Sequence, residues 1–599
     1  MTPDEKITVL RKKMQERKMD AYLIPTDDYH MSEYVGEHFK EREYMSGFSG
    51  SAGTLLVTQT RALLWTDGRY FLQAQEQLEN TSIELMKMGQ PGVQTVTEFL
   101  AEMLPVHGII GFDGRTVTAA YVERMLQKAA GKQVKVAAGE DLVDEIWKDR
   151  PPVSKEPVWE LSIQYAGVSR EDKLADIHRQ MEQNGTDALL LTTLDEIAWL
   201  LNLRGNDVRN TPVFLAYMLI IQNRNVLCLH REILPEKIRA ELQKAGVETA
   251  DYQEIEGLLQ ELPEGTVLQA DRQSVNYHLW ECVPGDIRIK DKESPVVKSK
   301  AIKNQTEIRH IRQAHIKDGI AVTKLIYWLK THVGKEKITE ISAAAKLEEL
   351  RAQAEDYLGP SFDPIIAYGA HGAIVHYEAT PGTDVELLPE GLLLMDTGGH
   401  YLEGTTDITR TIALGEISEE ERQAYTAVLR GHLHLGAAHF LYGCCGQNLD
   451  ILAREPLWEQ GLDFRHGTGH GVGYLLNVHE GPQSFRFRIT ENGTAVVLEE
   501  GMILSNEPGY YCAGKYGIRH ENLVLCTEAQ RTEYGRFMKL ETLTMVPFDT
   551  DAIDPRQMTE QELKWLNEYH QRVYQTLSPY FEGEELVWLR NMTNILTCI

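Results

Sequence analysis

Between residues 396 and 521, five side chains of metal-ligand type stand in distinct sequence frames: Asp396 in LLLMD, Asp407 in TTDITRT, His470 in HGTGHG, Glu507 in SNEPGYY and Glu521 in IRHEN. Four carboxylates and one imidazole make a hard, oxygen-rich donor set, suited to two neighbouring divalent ions that share a bridging water. Such a pair acidifies the water and polarises a carbonyl, so the chemistry these residues point to is metal-assisted hydrolysis. An isolated Asp or Glu is usually a solvated surface charge. Asp396, Glu507 and Glu521 are read instead as capping apolar runs, and an ionised carboxylate buried in such a place requires a partner.

The flanking residues suggest how the acids are positioned. GLLLMD runs apolar into Asp396, GGHYLEG is a glycine-rich reversal, and TTDITRT alternates β-branched residues, a pattern that reads as a hairpin bringing Asp396 beside Asp407. GMILSNEP runs apolar into Glu507, where Pro508 opposes a helix and leaves the acid at a strand end; YGIRHENLVL reads the same way for Glu521. His466 and His470 are four apart in HGTGHG, but each glycine costs a helix about 1 kcal/mol and no Glu follows the first His. The segment therefore reads as a glycine-rich turn that allows close approach, with His479 in NVHEGP soon after. His432, His434 and His439 in RGHLHLGAAHF read as structural residues of a helical stretch, since side chains two apart face different sides.

Taken together, these ligand frames resemble the pita-bread metallopeptidases, the family of methionine aminopeptidase, prolidase and aminopeptidase P. HYEATP around His376, the string HGTGHGVGYLLNVHEGP and the three-part length are similar to the long, three-domain form of aminopeptidase P. The resemblance covers essentially the whole chain. It implies that Asp396 and Asp407 hold the second ion and bridge both, that His470 and Glu507 hold the first, and that Glu521 bridges. It further implies Glu507 as the proton acceptor, His376, His466 and His479 around the tetrahedral oxyanion and the leaving proline nitrogen, and Arg519 as the residue orienting Asp396. Manganese is the metal it points to, in keeping with the carboxylate-rich set, although cobalt, iron and zinc stay open. The implied reaction removes the first residue from peptides with proline second. A prolidase-type dipeptidase shares the ligands but resembles a shorter, two-domain chain, a methionine aminopeptidase has no use for residues 1 to 300, and a ligand-free binding module conflicts with the complete ligand set.

The front of the chain carries a repeat. Lys6, Met14, Asp20 and Ala21 recur 167 positions later as Lys173, Met181, Asp187 and Ala188, with Ile7 and Leu10 answered by Leu174 and Ile177. Each copy reads as an amphipathic helix followed by a buried strand, DAYLIPT and DALLLTT. Breaks at DRPPVSKEPVW and DKESPVVKSKAIKNQTE, where Asn304 and Glu307 resemble a capping box, divide the chain into 1–155, 156–305 and 306–599. The expected fold is two similar creatinase-like α/β domains followed by a pita-bread catalytic domain. GFSGSAG matches neither a phosphate loop nor a nucleophile elbow, so its glycines read as turn residues. Trp199, Arg204 and Asp207 read equally as a substrate approach or as core and local pairs.

Composition narrows the partners. A net charge of -28 argues against nucleic acid and anionic membrane. The first residues lack the apolar core of a signal peptide, and no apolar run reaches the roughly 20 residues a bilayer span needs, so a cytoplasmic protein is expected. Seven cysteines without a CxxC pair fit a reducing compartment. The aromatic, amphipathic tail from Trp565 onward reads either as packing on its own domain or, as the resemblance implies, as part of a homodimer interface.

Overall fold

The computed structural model describes residues 1–222, 224–488 and 495–598, which divide into two compact units. One comprises Met1–Ser162 with Val168–Val296, the other Ile163–Gly167 with Val297–Ile599.

The first unit contains the repeat in three dimensions. Helices Pro3–Glu16 and Arg170–Asn184 are each followed by an apolar strand, Ala21–Pro25 and Ala188–Leu191. Each strand takes the same place in a six-stranded mixed sheet, with an antiparallel neighbour on one side and a parallel one on the other. The repeated Asp explains part of this equivalence. Asp20 exchanges main-chain N–H for the Ile109 carbonyl and takes the Ile109 N–H on its carboxylate; Asp187 does the same with Val267. A charged residue thus fixes where the parallel neighbour begins.

The remaining front-half motifs make local contacts. In GFSGSAG, Gly50 is crowded by the Phe48 ring, to which a Cβ would come within 2.4 Å, and the Ser49 hydroxyl accepts from the amides of Gln73 and Gln77. Trp199 is buried with the Lys173 ammonium 3.9 Å from its ring centroid. Arg204 donates to the carbonyls of Ala198 and Leu203, while Asp207 accepts from the N–H of Glu156 and of Leu215.

In the second unit, helix Gln305–His332 carries the Asn304/Glu307 capping box at its N-terminus. Two sheets matter for the site. One has three antiparallel strands, with Leu392–Thr397 between Ile365–Tyr368 and Ile408–Ala413. The other has six strands and includes Gly469–Gly471, Ile503–Asn506 and Asn522–Thr532 in neighbouring positions. The anticipated hairpin is present, with Asp396 opposite Thr409, but its glycine-rich reversal is larger than a turn: Gly399–Tyr401 and Gly404–Thr405 pair with each other in a separate small sheet. The tail helix Glu560–Leu577 packs its apolar face into its own unit, burying Leu563, Leu566, Tyr569, Val573 and Leu577 in one core with Tyr425, Val428 and Leu429. No helix among the described residues is long and apolar enough to cross a membrane.

Candidate functional site

The five ligand-type residues come from the ends and edges of the two sheets. Asp396 is the penultimate residue of its strand, and Asp407 directly precedes the neighbouring one. Glu507 follows Ile503–Asn506, and Glu521 sits in the two-residue gap between strands Tyr516–Arg519 and Asn522–Thr532. Because Asn506 faces Asn522 in the ladder, Glu507 and Glu521 leave adjacent strand ends together. Thr409 stitches the two sheets: its carbonyl accepts the Glu521 N–H at 3.0 Å and its hydroxyl donates to Glu521 Oε2 at 2.8 Å.

His470 corrects the expectation of a turn, for it lies on the short strand Gly469–Gly471. The glycines serve packing. A Cβ at Gly469 would sit 2.0 Å from the Ser505 carbonyl oxygen, and one at Gly471 would sit 2.2 Å from that of Glu480. Pairing shifts register between His470 and Gly471, the kind of bulge that re-aims a side chain. His470 Nδ1 donates to the Gly471 carbonyl at 2.9 Å, and Nε2 faces the acids, 3.4 Å from Glu507 Oε1 and 3.5 Å from Asp407 Oδ2.

Ligand atoms of Asp407, His470 and Glu521 all lie within 4.8 Å of one another. Burial, together with the charges of Asp396 and Glu507, pushes the Asp407 carboxyl well above its usual range. Burial and the charges of Asp407, Glu507 and Asp396 do the same to Glu521. Glu507 is pushed up to about 7, mainly by burial, with Arg519 opposing the shift. Asp396 Oδ1 and Glu521 Oε1 are buried with no hydrogen-bond partner. Crowded, mutually repelling carboxylates with orphaned oxygens are the environment a divalent cation neutralises, so these residues fit a metal centre.

The other residues named from the sequence connect to the acids through a few contacts. Arg519 donates through Nε and Nη2 to Asp396 Oδ2, at 3.2 and 2.5 Å, which turns Oδ1 toward the cluster. Its Nη1 donates to the Tyr511 hydroxyl at 2.7 Å, and that hydroxyl meets His466 Nε2 at 2.8 Å. Its Nη2 also reaches the carbonyl of Val375 at 3.3 Å, joining the His376 segment to the same arginine. The His479 ring lies 4.3 Å from that of His470 and nearly perpendicular to it. Tyr511 escaped the sequence reading; its position four residues after Glu507 at a strand edge was the available signal.

Each of these segments is braced from behind by buried polar groups. Glu340 accepts from the Tyr368 N–H, from His371 Nδ1 and from the Tyr377 hydroxyl, each at 2.8 Å, holding the chain on both sides of His376. The Asp318–Arg351 pair reaches Thr397, Gly398 and Thr406, the neighbours of Asp396 and Asp407. Arg454, paired with Asp450, holds the carbonyls of Phe464 and His466. Lys300 and Lys303 both grip Glu480, next to His479, and all three are buried.

The three histidines set aside as structural make no part of the cluster. His432 is buried in helix Glu419–Gly436, and His434 pairs with Glu562 at 2.7 Å. His439 lies outside that helix, on the strand His439–Leu441.

Comparison with known proteins gives the same picture at the scale of the chain. The profile of Metallopeptidase family M24 matches residues 309–528, the Creatinase/Prolidase N-terminal domain matches twice, at 6–146 and 149–307, and the C-terminal region of peptidase M24 matches 536–596. A probable Xaa-Pro aminopeptidase P of Botryotinia fuckeliana is 39% identical over 98% of this chain and 92% of its own length. Aminopeptidase P2 of Arabidopsis thaliana is 38% identical over 99% and 88%. The crystal structure of X-prolyl aminopeptidase from Caenorhabditis elegans, described as a cytosolic enzyme with a di-nuclear active site, matches all of both chains at 34% identity with a TM-score of 0.95. The duplicated N-terminal domain, the M24 profile over the acid cluster and the full-length relatives together establish that this chain belongs to metallopeptidase family M24.

Proposed function

We propose that the protein is a dinuclear metal-dependent Xaa-Pro aminopeptidase, releasing the first residue of peptides whose second residue is proline. The observation that carries this reading is the convergence of Asp396, Asp407, His470, Glu507 and Glu521 in a chain similar over its whole length to proteins of that name. Prolidase-type specificity is the alternative; full-length similarity to Xaa-Pro aminopeptidases P weighs against it.

Asp396, Asp407, His470, Glu507 and Glu521 would together hold the two ions. When bound, the two ions acidify a shared water and polarise the scissile carbonyl. Glu507, with Oε1 steadied by the Ser505 hydroxyl at 3.1 Å, accepts the water proton and passes it on. An amide nitrogen leaves well only once protonated, and the proline nitrogen, which has no N–H in the peptide, gains that proton. His376, His466 and His479 line the approach and steady the oxyanion and the proline nitrogen. Arg519 holds Asp396 and, through Tyr511, the ring of His466 in one orientation.

The oxygen-rich donor set favours manganese. The family profiles, at 6–146, 149–307 and 309–528, support a three-part chain, for which the breaks are proposed at residues 155 and 305. Peptides are the proposed partner and the cytoplasm the proposed compartment, the latter by similarity to a relative described as cytosolic. Exposed Tyr580 and Val587 offer surface for the proposed homodimer, which sedimentation equilibrium tests.

The deciding assay strips the protein with chelator, restores manganese and compares an Xaa-Pro-Xaa tripeptide with an Xaa-Pro dipeptide. Metal-dependent cleavage of the tripeptide, with the dipeptide poorly used, is expected. Preference for the dipeptide would reassign the protein as a prolidase, and inactivity on both would overturn the enzymatic reading.

A further inference from the structure

Directly behind Glu521 lies a buried cation that makes no ion pair among the described residues. Arg410 is 0% exposed, and its guanidinium is surrounded by neutral oxygens. Nη1 donates to the main-chain carbonyls of Thr409 and Glu521 at 2.8 and 2.6 Å, and Nε to that of Pro547 at 3.2 Å. Nη2 donates to Asn522 Oδ1 at 2.7 Å, the Val546 carbonyl at 2.8 Å and the Tyr569 hydroxyl at 2.9 Å. The Phe548 ring lies 4.1 Å from the guanidinium. Burying a cation among neutral groups is expensive, so such an arrangement persists where a fixed fork of donors is needed.

What the fork fixes is the Glu521 corner. Thr409 and Glu521 touch by side chain as well, through the Thr409 hydroxyl on Oε2. Arg410 thus clamps the main chain of the same two residues whose side chains meet at the acid cluster. A second arm comes from His432, whose Nδ1 donates to the Asn506 carbonyl and whose Nε2 accepts from the Asn522 amide, both at 3.0 Å; the Asn506 amide returns a bond to the His432 carbonyl at 2.9 Å. Asn506 precedes Glu507 and Asn522 follows Glu521, so both acids leave strands pinned to one another at that rung.

Tyr569 closes the network from a distant part of the chain. It lies on helix Glu560–Leu577, within the region 536–596 that follows the M24 profile. Its hydroxyl accepts from Arg410 and gives its own proton to the Val546 carbonyl at 2.6 Å, and its ring packs 5.2 Å from Phe548. Without that hydroxyl, the two Nη2 hydrogens keep Asn522 Oδ1 and the Val546 carbonyl, but the fork loses the third contact that fixes its orientation.

We propose that Tyr569, acting through Arg410, is a positioning residue for the metal centre, so that the C-terminal region is a working part of the active site and more than a packing or association surface. This rests on the reading of Glu521 as a metal ligand. Partners hydrogen-bonded directly to a metal ligand commonly tune its affinity by about 10- to 100-fold; Tyr569 stands further out, behind Arg410 and the Glu521 main chain, so the low end of that range is expected.

The test is Tyr569→Phe, which keeps the ring, in the full-length protein. Manganese dissociation constants are measured by competition with a chelating dye, alongside kcat, KM and the melting temperature of the metal-free protein. Expected are affinity weakened about tenfold, kcat lowered even at saturating manganese, KM nearly unchanged, and a metal-free melting temperature close to wild type. Arg410→Lys, which keeps the charge and loses the fork, is expected to weaken affinity further; if it does not fold, Tyr569→Phe alone decides. Wild-type affinity and kcat in Tyr569→Phe overturn the proposal, as does a lowered melting temperature with unchanged affinity. Glu521→Gln in the same titration separates the two layers: if it loses one ion while Tyr569→Phe is unaffected, only the present proposal fails, and if it binds both ions normally, the ligand reading fails with it.

Discussion

Glu507 combines two demands that conflict in a buried carboxyl. As a proposed ligand it must be ionised, yet burial without an ion pushes it up to about 7. Replacing it by glutamine removes the proton acceptor while keeping the shape, so kcat should fall by at least about 100-fold, read by steady-state kinetics. Near-normal activity with two ions bound would remove Glu507 from that role. The same shift sets a pH dependence for the metal-free protein. An unfolded Glu ionises near about 4.3, so between that pH and about 7 the folded state holds the extra proton, and stability falls as pH rises through this window. Asp407 and Glu521, also raised, act in the same direction. With metal bound the acids are held ionised, so the gap in melting temperature between loaded and stripped protein should widen from pH 5 to pH 7, as calorimetry would show. The proposed ligands stood out in the sequence because Asp396 and Glu507 end apolar runs and Asp407, His470 and Glu521 stand in distinctive frames. Tyr511, Glu340 and Arg410 did not, because their partners lie 8, 28 to 37 and 111 to 159 positions away, and alone they look like ordinary polar residues.

At the scale of elements, strand ends carry the acids and helices carry the braces. The hairpin, the strand-end acids and the capping box were readable from period and turn chemistry. The extended state of Gly469–Gly471 was not, because glycine-rich segments look like turns when the neighbouring backbone that excludes a Cβ is unknown. Gly469→Ala is therefore expected to force apart the strand carrying His470 and the strand leading to Glu507, costing about 1–3 kcal/mol and most of the metal affinity; urea unfolding and metal titration check it. The Asp318–Arg351 pair behind Asp396 and Asp407 makes a second case. Asp318→Asn leaves Arg351 buried without its counter-charge and should cost about 3–5 kcal/mol in urea unfolding, well beyond the range of an exposed pair.

Across the whole molecule, the repeat at an offset of 167 residues was visible because both copies keep the helix, the strand and the Asp that receives a parallel neighbour. The role of the tail was not visible, since an amphipathic helix shows that it has a buried face without showing where; here that face packs against its own unit. The second unit is built around acids whose charges oppose folding until they are neutralised, so metal should stabilise the protein as a ligand does, by about 2.7 kcal/mol at a hundredfold excess over the dissociation constant.

The most direct test restores manganese stepwise to chelator-stripped protein while following bound metal and hydrolysis of an Xaa-Pro-Xaa tripeptide together. The account predicts tight binding of two ions per chain and tripeptide cleavage that appears only as they bind. Full activity in stripped protein, or two bound ions with no cleavage of the peptide, would contradict it.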